Sequence, residues 1–333
     1  MTKQLPRVWL LLGERQGDNN QVLALAEALG LPFETRGLRY NLLRALSPNA
    51  LGKSLESVKR SCRQWLKPPW PDLVIAIGRR SVPVARWIQH KNIGRTKIVR
   101  VGHPRIDPKL FDLVITTRQY PVPPDNNVLL LPVAMSRYRE RPEPAEEERQ
   151  WLSSLPRPHF LMAIGGPTKY WELTDESLSE TAQRLARRAA AAGGSLIVVS
   201  SPRTGPQAME TIRQSLRDQL HCHVLPSSRV RFPVLLADGD EHFVTGDSIS
   251  MMSEAILTGK PVGLIPIQLS TKGKRVLDKG GDGSPRRDLR RFWEHLQSQG
   301  LIGTVDEPKA GSVADPAKTA ADAVRNLLSD RIE

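Results

Sequence analysis

The pattern with the most chemical content is Phe243-Val244-Thr245-Gly246-Asp247-Ser248-Ile249-Ser250-Met251-Met252-Ser253-Glu254-Ala255. An apolar run ends in Thr-Gly, a small polar turn follows, and a helix begins among several capping residues. Unpaired N–H groups and the dipole at such a start attract an anion such as a diphosphate. The backbone from Gly246 through Asp247 to Met251 and the hydroxyls of Ser248 and Ser250 are the candidate donors. Glu254, further into the helix, could accept two ribose hydroxyls. The alternative is plain capping by Asp247 or Ser248, with Glu254 solvated.

A second strand-to-helix turn, Gly13-Glu14-Arg15-Gln16-Gly17-Asp18-Asn19-Asn20-Gln21, also ends in Gly-Asp. Gly13 and Gly17 allow close backbone approach, Asn19 and Asn20 offer amides, and Asp18 is a candidate general base. Here too a cap, Asp18 or Asn19, is the simpler alternative. Gly165-Gly166 closes a third apolar run, where glycines suit either a ligand or tight packing. Ser200, Ser201, Arg203 and Thr204 close a fourth, and Arg203 is a natural diphosphate partner.

Other motifs fall away. Gly259-Lys260-Pro261 lacks the earlier glycine and the following Ser/Thr of a P-loop. Asp238-Gly239-Asp240 precedes an apolar run and reads as a turn. The seven histidines have no metal-ligand spacing, so no metal site is expected, and His103 reads as a loop histidine bonded to backbone.

The elements that must position these residues alternate strand and helix. Val8–Leu12, Leu73–Ile77, Lys97–Val101, Leu113–Thr116 and Val128–Leu131 are short Val/Ile/Leu runs suited to a parallel sheet covered on both faces. Val22, Leu25, Ala26 and Leu29 mark a helix stopped by Gly30. Pro-rich and charged residues 137–158 read as a linker, after which Phe160–Ile164, Leu196–Val199, His242–Thr245 and Val262–Ile265 repeat the pattern. The expected fold is α/β, with two Rossmann-like doubly wound domains facing across a cleft. They span 1–150 and 151–315, and a C-terminal helix (316–333) packs back on the first.

Composition narrows the rest. The formal charge of +13 admits nucleic acid, an anionic membrane surface or a phosphorylated substrate as partner. The cations are scattered, without zinc-finger or aromatic-basic RNA-binding spacing, so no nucleic acid is expected. Cys62 and Cys222 suit a reducing compartment. No apolar run reaches membrane-spanning length and no signal peptide is read, so the expected location is cytoplasmic, at most peripheral at the inner face of a membrane.

Taken together, Gly17-Asp18-Asn19-Asn20-Gln21, Ile164-Gly165-Gly166-Pro167 and Thr245–Met251 with Glu254-Ala255 and Thr258-Gly259-Lys260-Pro261 resemble the elongated-mitochondria family. That family of bacterial proteins and a plant mitochondrial fission factor is described as glycosyltransferases of the GT-B fold. The resemblance implies a metal-independent, nucleotide-sugar-dependent transferase with no cofactor beyond its nucleotide-diphosphate sugar donor. Donor would bind the second domain and acceptor the first, with Glu254 on ribose and Asp18 as base. Better-known inverting GT-B enzymes would be expected to carry a histidine-bearing glycine-rich loop where this chain has Asp18. A membrane-associated or lipid-linked acceptor suits the basic charge. The alternatives are a non-catalytic membrane-surface adaptor and a nucleotide-sugar epimerase.

Overall fold

The computed structural model describes residues 5–137, 142–226, 229–277 and 286–329. The chain divides into two compact units, Met1–Arg137 with Ala314–Glu333, and Tyr138–Val313.

In the first unit six parallel strands, β1 (Val8–Leu12), β2 (Phe33–Gly37), β3 (Leu73–Ile77), β4 (Lys97–Val101), β5 (Leu113–Thr117) and β6 (Val128–Leu131), form one sheet in the order 2-1-3-4-5-6. Strand alternation supplies both faces. Val8 and Leu10 of β1 and Leu73 and Ile75 of β3 enter one core cluster, whereas Trp9, Leu11, Val74 and Ala76 enter the other. Helix α1 (Gln16–Leu29) covers the first face and ends at Gly30, whose φ of 74° is the left-handed cap that glycine adopts without strain. Two short helices, α2 (Pro48–Leu51) and α3 (Arg60–Arg63), precede α4 (Val82–Lys91).

The C-terminal helix Pro316–Leu327 lies beside α1 in the same unit. Its Ala317, Ala320, Ala321 and Val324 recur at i, i+3, i+4 and i+7 and are fully buried in the first cluster. Arg325 Nη2 donates to the carbonyls of Ala28 (2.6 Å) and Leu29 (3.2 Å), satisfying the end of α1 with a cation at its negative pole.

The second unit opens with α5 (Glu146–Ser153) and its five-stranded parallel sheet, from β7 (His159–Ile164), β9 (Ser195–Ser200), β10 (Cys222–Leu225), β11 (Glu241–Thr245) and β12 (Val262–Ile265), runs in the order 10-9-7-11-12. A small antiparallel ribbon pairs β8 (Trp171–Glu172) with β13 (Gln268–Leu269). Helices α6 (Asp175–Ala191), α7 (Pro206–Ser215), α8 (Phe232–Asp238), α9 (Ile249–Leu257), α10 (Thr271–Leu277) and α11 (Arg290–Ser298) complete it. The division falls at 137/138 rather than 150/151 because α5 is held within this unit. Its Glu148 is buried and accepts from the backbone N–H and the guanidinium of Arg231. Residues 138–141 of the linker and 330–333 of the C-terminal segment lie outside the described residues.

His242, fully buried on β11, gives the second unit a pH-dependent term. Burial, and then the Lys260 charge, push its pKa down to about 4 from 6.5. The unfolded chain therefore takes up a proton that the folded one refuses. Stability is full above 6.5 and falls as pH drops from there to about 4, by up to about 3 kcal/mol. Urea midpoints of wild type and His242→Leu should diverge from each other across that window and run parallel above pH 7.

Candidate functional site

In open α/β sheets ligands sit outside the carboxyl ends of the strands where strand order reverses. In the second unit that point lies between β7 and β11, the two strands followed by Gly165-Gly166 and by Gly246-Asp247-Ser248. The two turns are bonded to each other. Gly165 N–H donates to Thr245 Oγ1 (2.7 Å), whose hydroxyl donates to Asp247 Oδ1 (2.7 Å). Gly166 N–H donates to Asp247 Oδ2 (2.9 Å), which also lies 2.7 Å from Arg203 Nη2. Asp247, its side chain only 1% exposed, thus ties three loop ends together.

Asp247 is therefore not the helix cap. Ser248 occupies that position in α9 but makes no side-chain capping bond. The first N–H groups of α9, from Ile249 to Met251, have no acceptor within the helix, and they open on the same end of the sheet. Ser248 is buried, while Ser250, Met251 and Glu254 are half-buried.

Packing, rather than room for a ligand, explains the glycine pair. A Cβ at Gly165 would overlap the Asp247 carboxylate, and one at Gly166 the Arg203 carbonyl. Gly246 is required by Trp293 of α11, whose ring edge would lie 2.6 Å from an added Cβ and whose Nε1 donates to the Gly246 carbonyl (2.9 Å). Trp171 meets Trp293 edge-on at 4.9 Å between centroids, backing the turn with aromatic mass. Neither tryptophan stands out in the sequence, since both support the turn from distant segments. Arg203 is half-exposed and also donates to the Gly166 carbonyl (3.0 Å). The single Thr204 hydroxyl proton is shared between the carbonyls of Ile164 (2.8 Å) and Gly165 (2.6 Å), and Oγ1 accepts from Ser201 N–H (2.8 Å). Ser200 and Ser201 are half-buried beside it.

The first unit repeats the arrangement. Its order reverses between β1 and β3, and there α1 begins at Gln16, earlier than the loop reading of the sequence. Gly17 is inside the helix and Asp18 is in its first turn, so neither Asp18 nor Asn19 is its cap. Asn19 instead accepts from Gly13 N–H (2.9 Å) and donates to Gly13 O (3.0 Å), fixing the loop. A Cβ at Gly13 would meet nothing within 4 Å, so no packing against the protein demands glycine there. Asn20 accepts from Gln16 (3.0 Å). Asp18, half-buried, faces Gly78 at the end of β3, where an added Cβ would lie 3.9 Å from its Oδ2.

Arg100 of β4 is the residue that sequence reasoning missed. It is 1% exposed, and its guanidinium donates to the carbonyls of Gly78 (3.1 Å) and His103 (2.9 Å), pinning the loops after β3 and β4. Burial and then Arg105 lower its pKa to about 10, so it remains a cation that attracts Asp18. A charged residue inside the apolar Lys97–Val101 run is the only signal the sequence offered. Burial, then Arg105 and Arg100, push His103 down to about 4, and its Nδ1 accepts from Arg105 N–H (2.9 Å). The neutral ring therefore carries its proton on Nε2. Among the described residues no group of three or more His, Cys, Asp or Glu is placed to hold a metal ion.

The family model described as "Mitochondrial fission ELM1" matches residues 16–328. The chain belongs to that family. Within the ELM1 family, the Arabidopsis thaliana mitochondrial fission protein ELM1 is 26% identical over 238 residues, 64% of this chain. The chain spans only 55% of that plant relative's length. An uncharacterized protein of Rickettsia prowazekii is 23% identical over 295 residues, 77% of this chain and 82% of its own. In fold, this ELM1-family chain is similar to the S. aureus MnaA–UDP co-structure (TM-score 0.56, 12% identity, covering 98% and 97% of the two chains). It is also similar to UDP-GlcNAc 2-epimerase from Neisseria meningitidis bound to UDP-GlcNAc (TM-score 0.55, 12% identity, 97% and 100% covered). The fold is α/β with two Rossmann-like units of GT-B type.

Proposed function

We propose that this chain is a nucleotide-sugar-dependent glycosyltransferase acting on a membrane-associated acceptor. The observation that carries the reading is the second switch point. There the amide end of α9 is held open by an Asp247–Thr245–Arg203 network, which itself consumes no α9 amide. Diphosphate oxygens accept from the N–H groups of Ile249, Ser250 and Met251, and from the Ser250 hydroxyl. The half-exposed Arg203 guanidinium supplies charge nearby. Glu254, one turn along, accepts the ribose hydroxyls. In the first unit Asp18 takes the proton of the acceptor hydroxyl, whose oxygen bonds to the anomeric carbon. The bond from that carbon to the diphosphate breaks, and the nucleoside diphosphate leaves with the electron pair. Amide dipoles and Arg203 offset the charge of that leaving group, which is why no metal or cofactor is assigned to the step. The acceptor is assigned to an anionic membrane surface on the strength of the basic charge, with the protein peripheral and cytoplasmic. No described helix is long and apolar enough to cross a membrane.

The solved neighbours hold UDP or UDP-GlcNAc, which makes UDP the first nucleotide to test. Calorimetry with a panel of nucleoside diphosphates is expected to find one that binds, and Glu254→Ala is expected to weaken it about tenfold or more. Failure of every nucleotide to bind would sink the reading in favour of a non-catalytic adaptor. Interconversion of free nucleotide-sugar without acceptor would replace it with an epimerase.

A further inference from the structure

One stretch of the first unit combines strong positive charge with bare apolar side chains. Residues 35–71 contain eight cations and one carboxylate, Glu56, although the whole chain carries a net +13. The same segment holds an unusual set of exposed apolar side chains: Leu42 at 90%, Leu43 and Leu46 nearer half, and Trp65 at 60%. Leu42–Ala45 is a single 3₁₀ turn capped by Asn41, whose Oδ1 accepts from Leu43 N–H. The segment is stitched into one surface, because Lys59 N–H donates to the Arg39 carbonyl and Asn41 N–H to that of Ser57. Arg39, Lys59 and Arg60 are all exposed on it.

We infer that this surface, with the Leu42–Leu46 turn at its tip and Trp65 and the cations around it, docks the protein onto an anionic lipid bilayer. Aliphatic side chains gain by entering the acyl boundary, indole rings settle at the interface, and basic side chains meet acidic headgroups. Nucleic acid fits less well, since bare leucines neither stack on bases nor read them. The turn is also fixed relative to the first switch point. Arg79 donates to the carbonyls of Arg44 (2.8 Å) and Leu46 (3.3 Å), and Arg80 pairs with Glu14 (3.1 Å) in the β1–α1 loop just ahead of Asp18. Docking through it therefore brings a lipid-linked hydroxyl to the end of the sheet where Asp18 stands. The inference rests on the proposed transferase for that acceptor but not for the docking itself.

The test is co-sedimentation of the full chain, without nucleotide, with vesicles of phosphatidylcholine and phosphatidylglycerol in equal parts and of phosphatidylcholine alone. Binding to the anionic vesicles should be about tenfold or more tighter and should weaken as salt is raised. Leu42→Glu with Leu43→Glu, and separately Lys59→Glu with Arg60→Glu, should each reduce it about tenfold. Leu220→Glu, at an exposed leucine of the second unit, should change nothing. Trp65→Phe should remove much of the fluorescence blue shift on binding, and circular dichroism identifies any variant that has lost its fold. Equal affinity for both vesicles, no binding, or indifference to the two paired variants overturns the docking. So does tighter binding of a single-stranded RNA that the same charge reversals abolish. Nucleotide calorimetry is unaffected by any of these results, so the docking and the transferase can fail separately.

Discussion

Asp247→Ala is expected to cost the second unit about 3 kcal/mol and, under the proposed function, to lower nucleotide affinity about tenfold or more. The carboxylate is fully buried and takes three hydrogen bonds, from Gly166 N–H, the Thr245 hydroxyl and Arg203. Removing it strands two buried donors, while half-exposed Arg203 recovers water, which keeps the cost at the low end for a broken buried pair. The affinity loss has a separate cause. Without the tie, the turn ahead of α9 no longer holds its amides in one arrangement, and ordering them must be repeated at each binding event. The geometry also predicts coupling. Gly165→Ala should be strongly destabilising in the wild type, where its Cβ overlaps the carboxylate, and much milder in Asp247→Ala, where the space is vacant. Chemical denaturation of the four proteins measures the cycle, and additive costs would mean the two turns are not in contact.

Asp18→Asn carries the second large effect. Under the proposed reaction it should lower turnover by about a hundred- to ten-thousand-fold, the usual worth of a positioned general base. Asparagine keeps the volume in the first turn of α1, so the fold and the donor affinity of the second unit should be unchanged. Single-turnover rates with donor in excess, set beside nucleotide affinity, separate the two. A fall in affinity with turnover intact would make Asp18 a binding group instead.

The strands that bury both faces were legible because they are short runs dominated by Val, Ile and Leu. β2 was not, since Phe33–Gly37 is an edge strand with four of its five residues exposed and no apolar run to betray it. The start of α1 was obscured by Gly17, a poor helix former that sits inside the first turn. The anion-site reading of 245–251 came from local grammar: strand, small turn, helix. What local grammar could not convey was the partner of that turn. Gly165 and Gly166 look like space left for a ligand, yet the space is filled by Asp247 and Arg203, some 80 and 37 residues further along the chain. Arg100 was hidden for the same reason, because its bond to Gly78 runs to a loop that only the sheet order brings near.

The return of the last helix to the first unit sets an order of assembly. Residues 138–313 are a single uninterrupted stretch, whereas the core beneath α1 is complete only when Ala317, Ala320, Ala321 and Val324 arrive. A growing chain can therefore finish the inserted unit while the earlier-made one still lacks a wall. The unit whose sequence begins first is the one that closes last, and the basic segment 35–71 reaches its finished setting only after residues 317–324 have joined it.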